Sequence, residues 1–482
     1  MNRISRRRFL EDSAALLAAT AAVPGAALAA RPAPAARRAG PNDRIRVAVV
    51  GVRGRGMSHV HAFAAMPDVE VVAICDADTA AIGPAVKAVE QRAKTTPRAV
   101  QDLRRLLEDS DIDVISTATP NHWHALVSVW AMQAGKDVYV EKPASHQVLE
   151  GRRMVEAARK YGRICQVGTQ SRASKGIQEA MAYLHEGKLG KVHLARGLCY
   201  KRRPSIGQSD GPQAVPSTVD YDLWLGPAPR KPPRRRQFHY DWHWFWDYGN
   251  GDLGNQGVHE MDKARWGLNK STLPRTAIGL GGRFGYVDDG ETPNTEVVVL
   301  DYGDSQLIFE VRGLPTPDLN GARVGNIFYG SEGVMVMPSY SSATVFDLSG
   351  DKVQHFEGDG DHFRNFIEAV RSRRPADLFC PIEEGHLSAA LCHLGNVSLL
   401  LGKEEPLRSR PGAIGDDREA YETFGRFEDH LAANGINLDA GAYRLGRRLR
   451  LDTRSERAIG DGEANRLFTR EYRKPFVLPD RV

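Results

Sequence analysis

The sequence predicts an α/β fold, with a doubly wound parallel sheet in its N-terminal half and a second domain after it. Three observations support this prediction. The chain has 482 residues, more than one hydrophobic core usually organises. The run Ile45–Val50 is almost continuously apolar, as a strand buried on both faces requires. Further apolar strands alternate with helical segments, and this alternation is typical of a parallel sheet.

The elements of the first domain follow in order along the chain. A glycine-rich turn after residue 50 leads to a helix starting near Met57. The predicted elements after it are strand 69–75, helix 98–107, strand 113–118, helix 123–133, strand 137–140 and a last strand within 163–169. Ligands of such sheets bind at the carboxyl ends of the strands, so we expect the site there.

The second domain is predicted from alternating apolar and polar residues, which are typical of strands with one buried face. These strands are expected at 192–200, 277–284, 295–300, 307–311 and 334–337. Helices are expected at 362–370, which has one apolar stripe, and at 382–401. A further helix over 253–268 would place Asn255, His259 and Asp262 on one face, because they are spaced at i, i+4 and i+7.

Composition and charge exclude several classes of protein. Hydrophobic residues make up 41% and charged residues 26%, which is typical of a globular protein. The net charge is +5, but basic residues form no sustained stripe apart from the runs 234–236 and 447–450, which we expect to be solvated surface. We therefore predict no nucleic-acid partner. The five cysteines are expected to be buried small side chains, and no metal site is predicted.

The first 29 residues have the order of an export signal: basic residues, a short apolar run, and small residues ending at Ala29, near which cleavage is expected. The Arg6-Arg7 pair resembles a twin-arginine signal, whose machinery exports folded proteins. Residues 30–43 are interpreted as a flexible linker. The apolar run is too short to span a bilayer, so we predict no stable membrane insertion; an uncleaved interfacial anchor is the alternative.

The glycine-rich turn "GVRGRG" predicts a dinucleotide site. Glycines at a strand-to-helix turn adopt positive φ and let backbone amides approach a pyrophosphate. Asp76 ends the next strand, where an acidic side chain binds the adenine ribose, so NAD is favoured over NADP. Arg53 or Arg55 would partly offset this preference. The cofactor-binding candidates are Gly51, Arg53, Gly54, Arg55, Gly56, Asp76, Thr119, Pro120, Asn121, His124, Glu141 and Lys142.

Several further segments resemble one family. With the glycine turn, the segments "TPNHWH", "EKPASH", "VGTQSR", "YDLWLGPAP" and "GNQGVHEMD" resemble the Gfo/Idh/MocA oxidoreductases over roughly residues 44–402. The resemblance implies a Rossmann domain (44–170) and a substrate and oligomerisation domain (171–402) with an open, mostly antiparallel sheet. It also implies a homodimer or homotetramer. Residues 403–482 form a tail without an assigned function; wrapping a neighbouring subunit is one guess.

The resemblance also implies the catalytic residues. Lys142 would contact the reacting hydroxyl and the nicotinamide, with Pro143 often cis, and His259 would be the catalytic histidine. Asp262 corresponds to an acidic position that binds substrate or histidine. Asn255 stands where the family usually has Asp, so a charged Asp-His relay is in doubt. From chemistry alone, a near-neutral histidine suits proton abstraction, and an ammonium stabilises a developing alkoxide.

A carbohydrate or polyol is the expected substrate. The segment "FHYDWHWFWDY" (238–248) interleaves aromatic and polar side chains, which suits packing on sugar rings, although an aromatic cluster under a loop is the alternative. The substrate-binding candidates are Gln170, Arg172, Tyr240, His243, Trp246 and His259. His122 and His124 are expected near the nicotinamide end. His386 and His393 would reach the cleft or simply pack.

These features predict an exported, periplasmic oxidoreductase that acts on a secondary hydroxyl of a sugar, glycoside or polyol. NAD is recycled in the cytoplasm, so an exported enzyme must hold its cofactor tightly. Two alternatives stay open. One is a redox-neutral NAD-dependent glycosidase or lyase, and the other is a non-catalytic sugar-binding relative.

Overall fold

The computed structural model describes residues 44–482, so the predicted signal and linker lie outside the described residues. The N-terminal sheet has six parallel strands in the order β3-β2-β1-β4-β5-β6, the doubly wound order predicted. Its strands are β1 (Ile45–Val50), β2 (Val69–Cys75), β3 (Arg98–Val100), β4 (Val114–Thr117), β5 (Asp137–Val140) and β6 (Cys165–Val167). Its helices are α1 (Arg55–Ala64), α2 (Thr79–Ala93), α3 (Arg104–Leu107), α4 (Asn121–Gln133) and α5 (Val148–Tyr161).

The prediction of one helix over 98–107 is wrong. The first three residues form β3, which extends the sheet by pairing with Ala73–Cys75 of β2. The chain then turns at Asp102, whose side chain accepts a hydrogen bond from the amide of Arg104 at 3.0 Å, and only the short helix α3 follows. Pairing with a distant strand therefore overrides the local helical pattern, as tertiary contacts commonly do.

The second domain is built on a twelve-stranded mixed sheet, in which β7 and β10 pair in parallel and the other neighbours are antiparallel. Its strands are β7 (Leu194–Cys199), β8 (Thr276–Gly282), β9 (Thr295–Asp301), β10 (Gln306–Arg312), β11 (Val324–Tyr329), β12 (Val334–Met337), β13 (Ser342–Phe346), β14 (Lys352–Glu357), β15 (Lys403–Pro406), β16 (Ala442–Leu445), β17 (Leu449–Asp452) and β18 (Arg457–Ala458). The mostly antiparallel sheet that the resemblance implied is confirmed. The helices are α6 (Lys175–His185), α7 (Tyr221–Leu225), α8 (Gly251–Asn255), α9 (Gly257–Gly267), α10 (His362–Ser372), α11 (Ile382–Leu400), α12 (Arg418–Ala433) and α13 (Gly462–Leu467).

The expected continuous helix over 253–268 is interrupted at Gln256, where α8 ends and α9 begins. A contact with a distant strand accompanies the break. Gly257 packs so closely on Phe309 of β10 that a Cβ there would lie 2.8 Å from the ring. Asn255 and His259 therefore belong to two different short helices. The i, i+4, i+7 spacing of Asn255, His259 and Asp262 therefore no longer places them on one continuous helix face.

Residues 403–482 pack onto their own chain. Strands β15 and β16 extend the large sheet beside β8, and α12 lies across its outer face. Phe424, Phe427 and Leu431 of α12 share one hydrophobic cluster with Ile278 and Val299 of the sheet. This helix covers part of one face of the large sheet. The homodimer or homotetramer stays a prediction.

The basic run 234–236 is only partly exposed. The side chains of Arg234 and Arg236 are exposed, but Arg235 is buried, so the prediction of a fully solvated run is wrong there. Its guanidinium lies 4.4 Å from the ring centroid of Trp224 and 4.3 Å from that of Phe238. Cation–π attraction and burial of the aliphatic stem explain why a charged side chain packs inside this aromatic cluster.

All five cysteines are buried and unpaired, as predicted. Within residues 44–482, no helix combines the length and apolar character needed to cross a bilayer.

Candidate active site

The glycine-rich turn lies between β1 and α1 and has the shape that a pyrophosphate requires. Gly51 and Gly54 have φ of 77° and 61°, conformations that favour glycine. A Cβ on Gly51 would lie 2.7 Å from the amide nitrogen of Thr119, and one on Gly56 would lie 1.8 Å from the carbonyl oxygen of Gly51. Side chains at Gly51 and Gly56 would therefore clash with the backbone that shapes the turn.

A cavity of about 420 Å³ opens beside this turn at the carboxyl ends of β1, β2 and β4. Its lining includes nine of the predicted residues: Gly51, Arg53, Gly54, Arg55, Asp76, Thr119, Pro120, Tyr240 and His243. The structure thus brings the predicted cofactor-binding turn and two of the predicted substrate-binding side chains together in one cleft. We call this cleft the first cavity.

One carboxylate of the first cavity, that of Asp76, stands next to β2, and the buried Asp78 follows two residues later. Asp76 accepts hydrogen bonds from the amides of Val52 (2.8 Å) and Asp78 (2.9 Å). Asp78, which sequence reasoning missed, binds Arg53 at 2.9 Å and lies 3.0 Å from His239. Arg53, the side chain expected to offset the acidic preference, is therefore already paired. This end of the cleft is suited to a ribose hydroxyl more than to a phosphate.

Glu141, at the end of β5, is a buried carboxylate with several donors. Its Oε1 accepts from Arg55 Nε at 2.7 Å and lies 3.2 Å from His59 Nε2. Burial alone would favour the neutral acid, but the bond with His59 and the charge of Arg55 hold the pKa of Glu141 well below its usual value. The carboxylate fixes the start of α1 to the loop that carries Lys142.

His124 joins two loops of the site. Its Nδ1 lies 2.7 Å from the carbonyl oxygen of Pro143, and its Nε2 lies 2.8 Å from that of Thr119. The Lys142-Pro143 peptide is cis. His124 therefore sets the position of the Lys142 loop relative to the turn after β4. Asn121 donates to Asn250 Oδ1 at 3.0 Å, which links the same turn to the second domain.

Lys142 and His259, two of the side chains predicted to be catalytic, lie outside the lining of the first cavity; Lys142 follows Glu141, which binds Arg55 of that lining. The ammonium of Lys142 donates to the backbone carbonyl of Asn255 at 2.6 Å, and burial lowers its pKa. His259 is 4% exposed, and its Nδ1 has no hydrogen-bond partner. Burial, and then the charge of Lys142, lowers the pKa of His259 well below its usual value, so the ring is a neutral base. Asn255 contributes its backbone carbonyl to this arrangement.

Asp262 and Arg172, both predicted at the site, bind each other. Two Arg172 nitrogens contact the carboxylate at 2.9 Å, and Ser388 Oγ donates to it at 2.6 Å. Burial favours the neutral acid, but Arg172 and Arg265 lower the pKa of Asp262. Asp262 thus accepts hydrogen bonds from arginine and serine. Within the described residues, its carboxylate has no hydrogen bond to His259. The pair fixes α9 to the segment that follows β6, where Gln170 Oε1 is buried without a partner.

Comparison with known families decides the identity. The sequence model of the Gfo/Idh/MocA oxidoreductases' NAD-binding Rossmann domain matches residues 45–169, and that of their C-terminal α/β domain matches residues 190–424. The chain belongs to the Gfo/Idh/MocA oxidoreductase family. Its first domain is therefore an NAD-binding Rossmann fold, and Lys142 lies within the matched range.

Two of the similar proteins carry the names of glycosidases. A glycosyl hydrolase family 109 protein of Saccharopolyspora erythraea is 32% identical over 209 residues, which cover 41% of this chain and 46% of that protein. An α-N-acetylgalactosaminidase of Shewanella oneidensis is 30% identical over 208 residues, covering 40% of this chain and 45% of that protein. The match therefore spans less than half the length of these relatives.

Solved structures share the fold at lower identity. The WlbA dehydrogenase of Bordetella pertussis, solved with NADH and UDP-GlcNAcA, has a TM-score of 0.54 at 21% identity and covers 73% of this chain and 95% of its own. A levoglucosan dehydrogenase, solved with NADH and levoglucosan, has a TM-score of 0.55 at 17% identity, with coverage of 73% and 96%.

The aromatic segment of this Gfo/Idh/MocA protein is divided between two environments. Phe238, Trp242 and Tyr248 pack in the hydrophobic cluster around Trp224, which matches the alternative of an aromatic cluster under a loop. Tyr240, which is 44% exposed, and His243, which stacks on Trp242 at 3.7 Å, instead line the first cavity. Trp246 does not reach that cavity and lines another one.

Three side chains next to His259 were not predicted. The ring of Tyr340 lies 4.9 Å from that of His259, and its hydroxyl accepts from Gln256 Nε2 at 2.6 Å. Lys201 donates to Gln256 Oε1 at 3.0 Å. The signal that could have found Gln256 is its place between Asn255 and His259. Tyr340, between β12 and β13, and Lys201, after β7, are distant in the sequence and carry no such signal.

The remaining histidines have structural partners. His122 contacts the Trp224 carbonyl at 3.1 Å, and His386 lies 2.9 Å from Glu456. Within residues 44–482, no three His, Cys, Asp or Glu side chains are grouped so as to hold a metal ion.

Proposed function

We propose that this chain is an exported NAD-dependent oxidoreductase that acts on a secondary hydroxyl of a sugar, glycoside or polyol and holds its cofactor tightly. One observation carries the chemistry. A neutral histidine with an unpartnered Nδ1, His259, lies beside a buried ammonium, Lys142, in the same site as an NAD-binding turn.

The residues present fit the cofactor. Gly51, Gly54 and Gly56 form a turn whose backbone amides can approach a pyrophosphate, and Asp76 lines the cavity where the adenine ribose would bind. When bound, NAD supplies a hydride acceptor for the oxidation of a carbinol carbon. The bond between Arg55 and Glu141 holds the glycine-rich turn and the Lys142 loop at a fixed spacing.

Proton transfer falls to the two reactive side chains. The ammonium of Lys142, oriented by the Asn255 carbonyl, would donate a hydrogen bond to the substrate hydroxyl and stabilise the oxygen as it loses its proton. His259 has a free ring nitrogen and accepts that proton. Tyr340 and Tyr240 offer aromatic faces to the C–H groups of a sugar ring. Gln170 and His243 are the further polar contacts proposed.

Export rests on the N-terminal sequence. The arginine pair and the apolar run before Ala29 support the twin-arginine route and a periplasmic location. A cofactor loaded before export has no pool that replaces it outside the cytoplasm, so retention must follow. A second carbonyl substrate or an electron acceptor would regenerate the oxidised form.

A second candidate is a redox-neutral NAD-dependent glycosidase. The similarity to family 109 glycosyl hydrolases favours it. Oxidation of a ring hydroxyl acidifies the neighbouring C–H, so the glycosidic substituent can be eliminated before the hydroxyl is restored. The same Lys142 and His259 would serve the oxidation.

The test is incubation of the purified holoenzyme with sugars, polyols and aryl glycosides. A net oxidation product, whose amount rises with an added acceptor, supports the oxidoreductase. Release of the aglycone without any acceptor supports the glycosidase. If neither product forms with any member of the panel, the enzymatic proposal is wrong and the non-catalytic sugar-binding alternative stands.

The pH dependence of the oxidation is predicted from the two reactive groups. His259 must be neutral to accept a proton, so activity falls as pH decreases through its pKa, which burial holds well below the ordinary 6.5. Lys142 must be charged, so activity falls as pH rises through its pKa, which is below the ordinary 10.5.

We therefore expect the rate of reduction of the bound cofactor to have an acidic limb below pH 6.5 and an alkaline limb below pH 10.5. The His259→Gln variant should lose the acidic limb, while His355→Gln, at an exposed histidine, should keep it. An acidic limb at or above pH 6.5 would contradict the assignment of His259 as the base.

Cofactor preference is predicted from the two carboxylates. Replacing both charges, in the double variant Asp76→Ser with Asp78→Asn, removes the repulsion of a 2′-phosphate and frees Arg53. We expect the ratio of the NADP and NAD dissociation constants to fall by about 10²-fold, because like charges at one site cost several kcal/mol.

Asn keeps the N-cap that Asp78 provides to α2 through Ala80. Titration of the cofactor-free protein, followed by tryptophan fluorescence, measures both constants. Glu108→Gln, which also removes a surface carboxylate, is the matched control. An unchanged ratio in the double variant would place the adenine ribose elsewhere.

A further inference from the structure

A second cavity of about 350 Å³ lies beneath the C-terminal segment 466–471 and shares no lining residue with the first cavity. It is bounded by His146 before α5, Trp246 before α8, and His393 and Asn396 on α11. Its volume falls within the range of small-molecule sites. The segment that closes it lies beyond residue 424, where the match to the family's C-terminal domain ends.

The segment over this cavity is firmly attached to the rest of the chain. Phe468 is fully buried, and its carbonyl accepts from the amide of Leu149 at 2.9 Å. Tyr472 donates to Glu150 at 3.1 Å, and Arg473 donates to Asp222 at 2.6 Å. The cavity is therefore preformed, which lowers the entropic cost of binding a ligand in it.

Three polar atoms of lining residues are buried without a partner. They are His393 Nε2, Asn396 Oδ1 and Arg470 Nε. The side chains of His393 and Asn396 are only 2% and 4% exposed. Each buried unpartnered polar group costs about 1–3 kcal/mol, so a polar molecule in the cavity that draws these side chains toward it would remove part of that cost.

Arg470 brings a positive charge to the cavity; the buried carboxylate of Glu150 is stabilised by this charge but forms no ion pair with it. Its Nη2 donates to the backbone carbonyl of Asp247 at 3.2 Å, and its Nη1 lies 3.3 Å from His146 Nδ1. No carboxylate within residues 44–482 lies within 4.0 Å of this guanidinium. The side chain of Asp247 pairs with Lys231 at 2.8 Å. Burial lowers the pKa of both His146 and His393, to about 3 for His393, so neither ring is charged.

The remaining lining residues define the shape of the ligand. Trp246 supplies an aromatic face, and Asn250 and Asn396 supply amide groups on the other sides. Exposed Arg466 and exposed Glu471 also line the cavity. A carboxylate satisfies the guanidinium, hydroxyls satisfy the amides and imidazole, and the C–H face of a sugar ring packs on an indole.

We infer that the second cavity is a binding site for a sugar acid of monosaccharide size, whose carboxylate pairs with Arg470 and whose hydroxyls bind His393 and Asn396. This inference does not rest on the proposed reaction, because no residue of the second cavity belongs to the site of Lys142 and His259.

The test is calorimetric titration of the holoenzyme with D-glucuronate, and with glucose as the uncharged comparison. We expect saturable binding of glucuronate and at least a tenfold weaker binding of glucose. Arg470→Gln should weaken glucuronate binding at least tenfold. Arg454→Gln, at an exposed arginine outside the cavity, should leave it unchanged.

Asn396→Ala is the second variant, should Arg470→Gln fail to fold, and it is also expected to weaken binding. Absence of saturable binding to the wild-type protein would overturn the inference. Binding that neither variant changes would place the sugar acid elsewhere and overturn it as well. So would a crystal structure with glucuronate in which the cavity contains ordered water only. Since binding is measured without turnover, these outcomes are independent of the proposed reaction.

Discussion

Replacing Lys142 with methionine is expected to lower the rate of substrate oxidation by about 10³-fold, because removal of one donor to a developing alkoxide costs this much in comparable sites. The Asn255 carbonyl accepts a hydrogen bond from the ammonium at 2.6 Å, and the Lys142 side chain is half-buried. A water-exposed lysine elsewhere on the protein cannot take this position. Methionine keeps the length of the side chain and removes only the charge and the donors. Single-turnover reduction of the bound cofactor measures the effect.

The variant should still contain its nicotinamide, because the turn from Gly51 to Gly56 and the carboxylates of Asp76 and Asp78 are unchanged. Lys188→Met, at an exposed lysine paired with Glu186, is the matched control and should oxidise substrate at the wild-type rate. A Lys142→Met protein that retains cofactor and oxidises substrate at more than a tenth of the wild-type rate would remove Lys142 from the mechanism.

Replacing Asp262 with alanine is expected to destabilise the protein by about 1–3 kcal/mol, the usual cost of buried groups that lose a hydrogen-bond partner, because Glu384 still pairs with Arg172 and Arg265. Arg172 and Arg265 are 6% and 1% exposed, and the alanine variant removes a carboxylate that both face. Ser388 would lose its acceptor as well. The midpoint of urea denaturation of the holoenzyme measures the loss.

Asp262→Asn separates structure from catalysis at this position. Asparagine keeps the size and accepts from Ser388, so this variant should be less destabilised than Asp262→Ala. If Asp262 only positions α9, the folded Asp262→Asn protein should retain the wild-type pH profile of oxidation. Loss of the acidic limb in Asp262→Asn would show that the carboxylate takes part in proton transfer with His259.

The parts of the fold that depend on local pattern could be predicted from the sequence. The buried strands β1 and β2 are continuous apolar runs, and the turn between β1 and α1 needs glycine at Gly51 and Gly54. Because the carboxyl ends of parallel strands meet at one edge, the convergence of Asp76, Thr119 and Glu141 follows from strand order alone.

The failures involve contacts between residues distant in the chain. Arg235 is buried because Trp224 and Phe238 enclose its guanidinium, and no property of the run 234–236 indicates this. The helix break at Gln256 depends on Phe309 of β10.

Asp262 and Arg172 are each polar residues in motifs of the family, yet their mutual ion pair is visible only in three dimensions. Trp246 belongs to the predicted aromatic segment, but the turn that follows Trp244 directs it to the second cavity. A sequence pattern therefore identifies the segment that forms a site and leaves open which of its side chains reach the ligand.

The most direct test of the proposed function is the absorbance spectrum of the nicotinamide that remains bound to the purified mature protein. We predict that the protein retains NAD through purification and that a sugar, polyol or glycoside converts it to the reduced form, whose near-ultraviolet band then appears. The Lys142→Met protein should retain the cofactor and show no such band. A mature protein purified without nicotinamide, or one whose bound cofactor no member of the substrate panel reduces, would contradict the proposal.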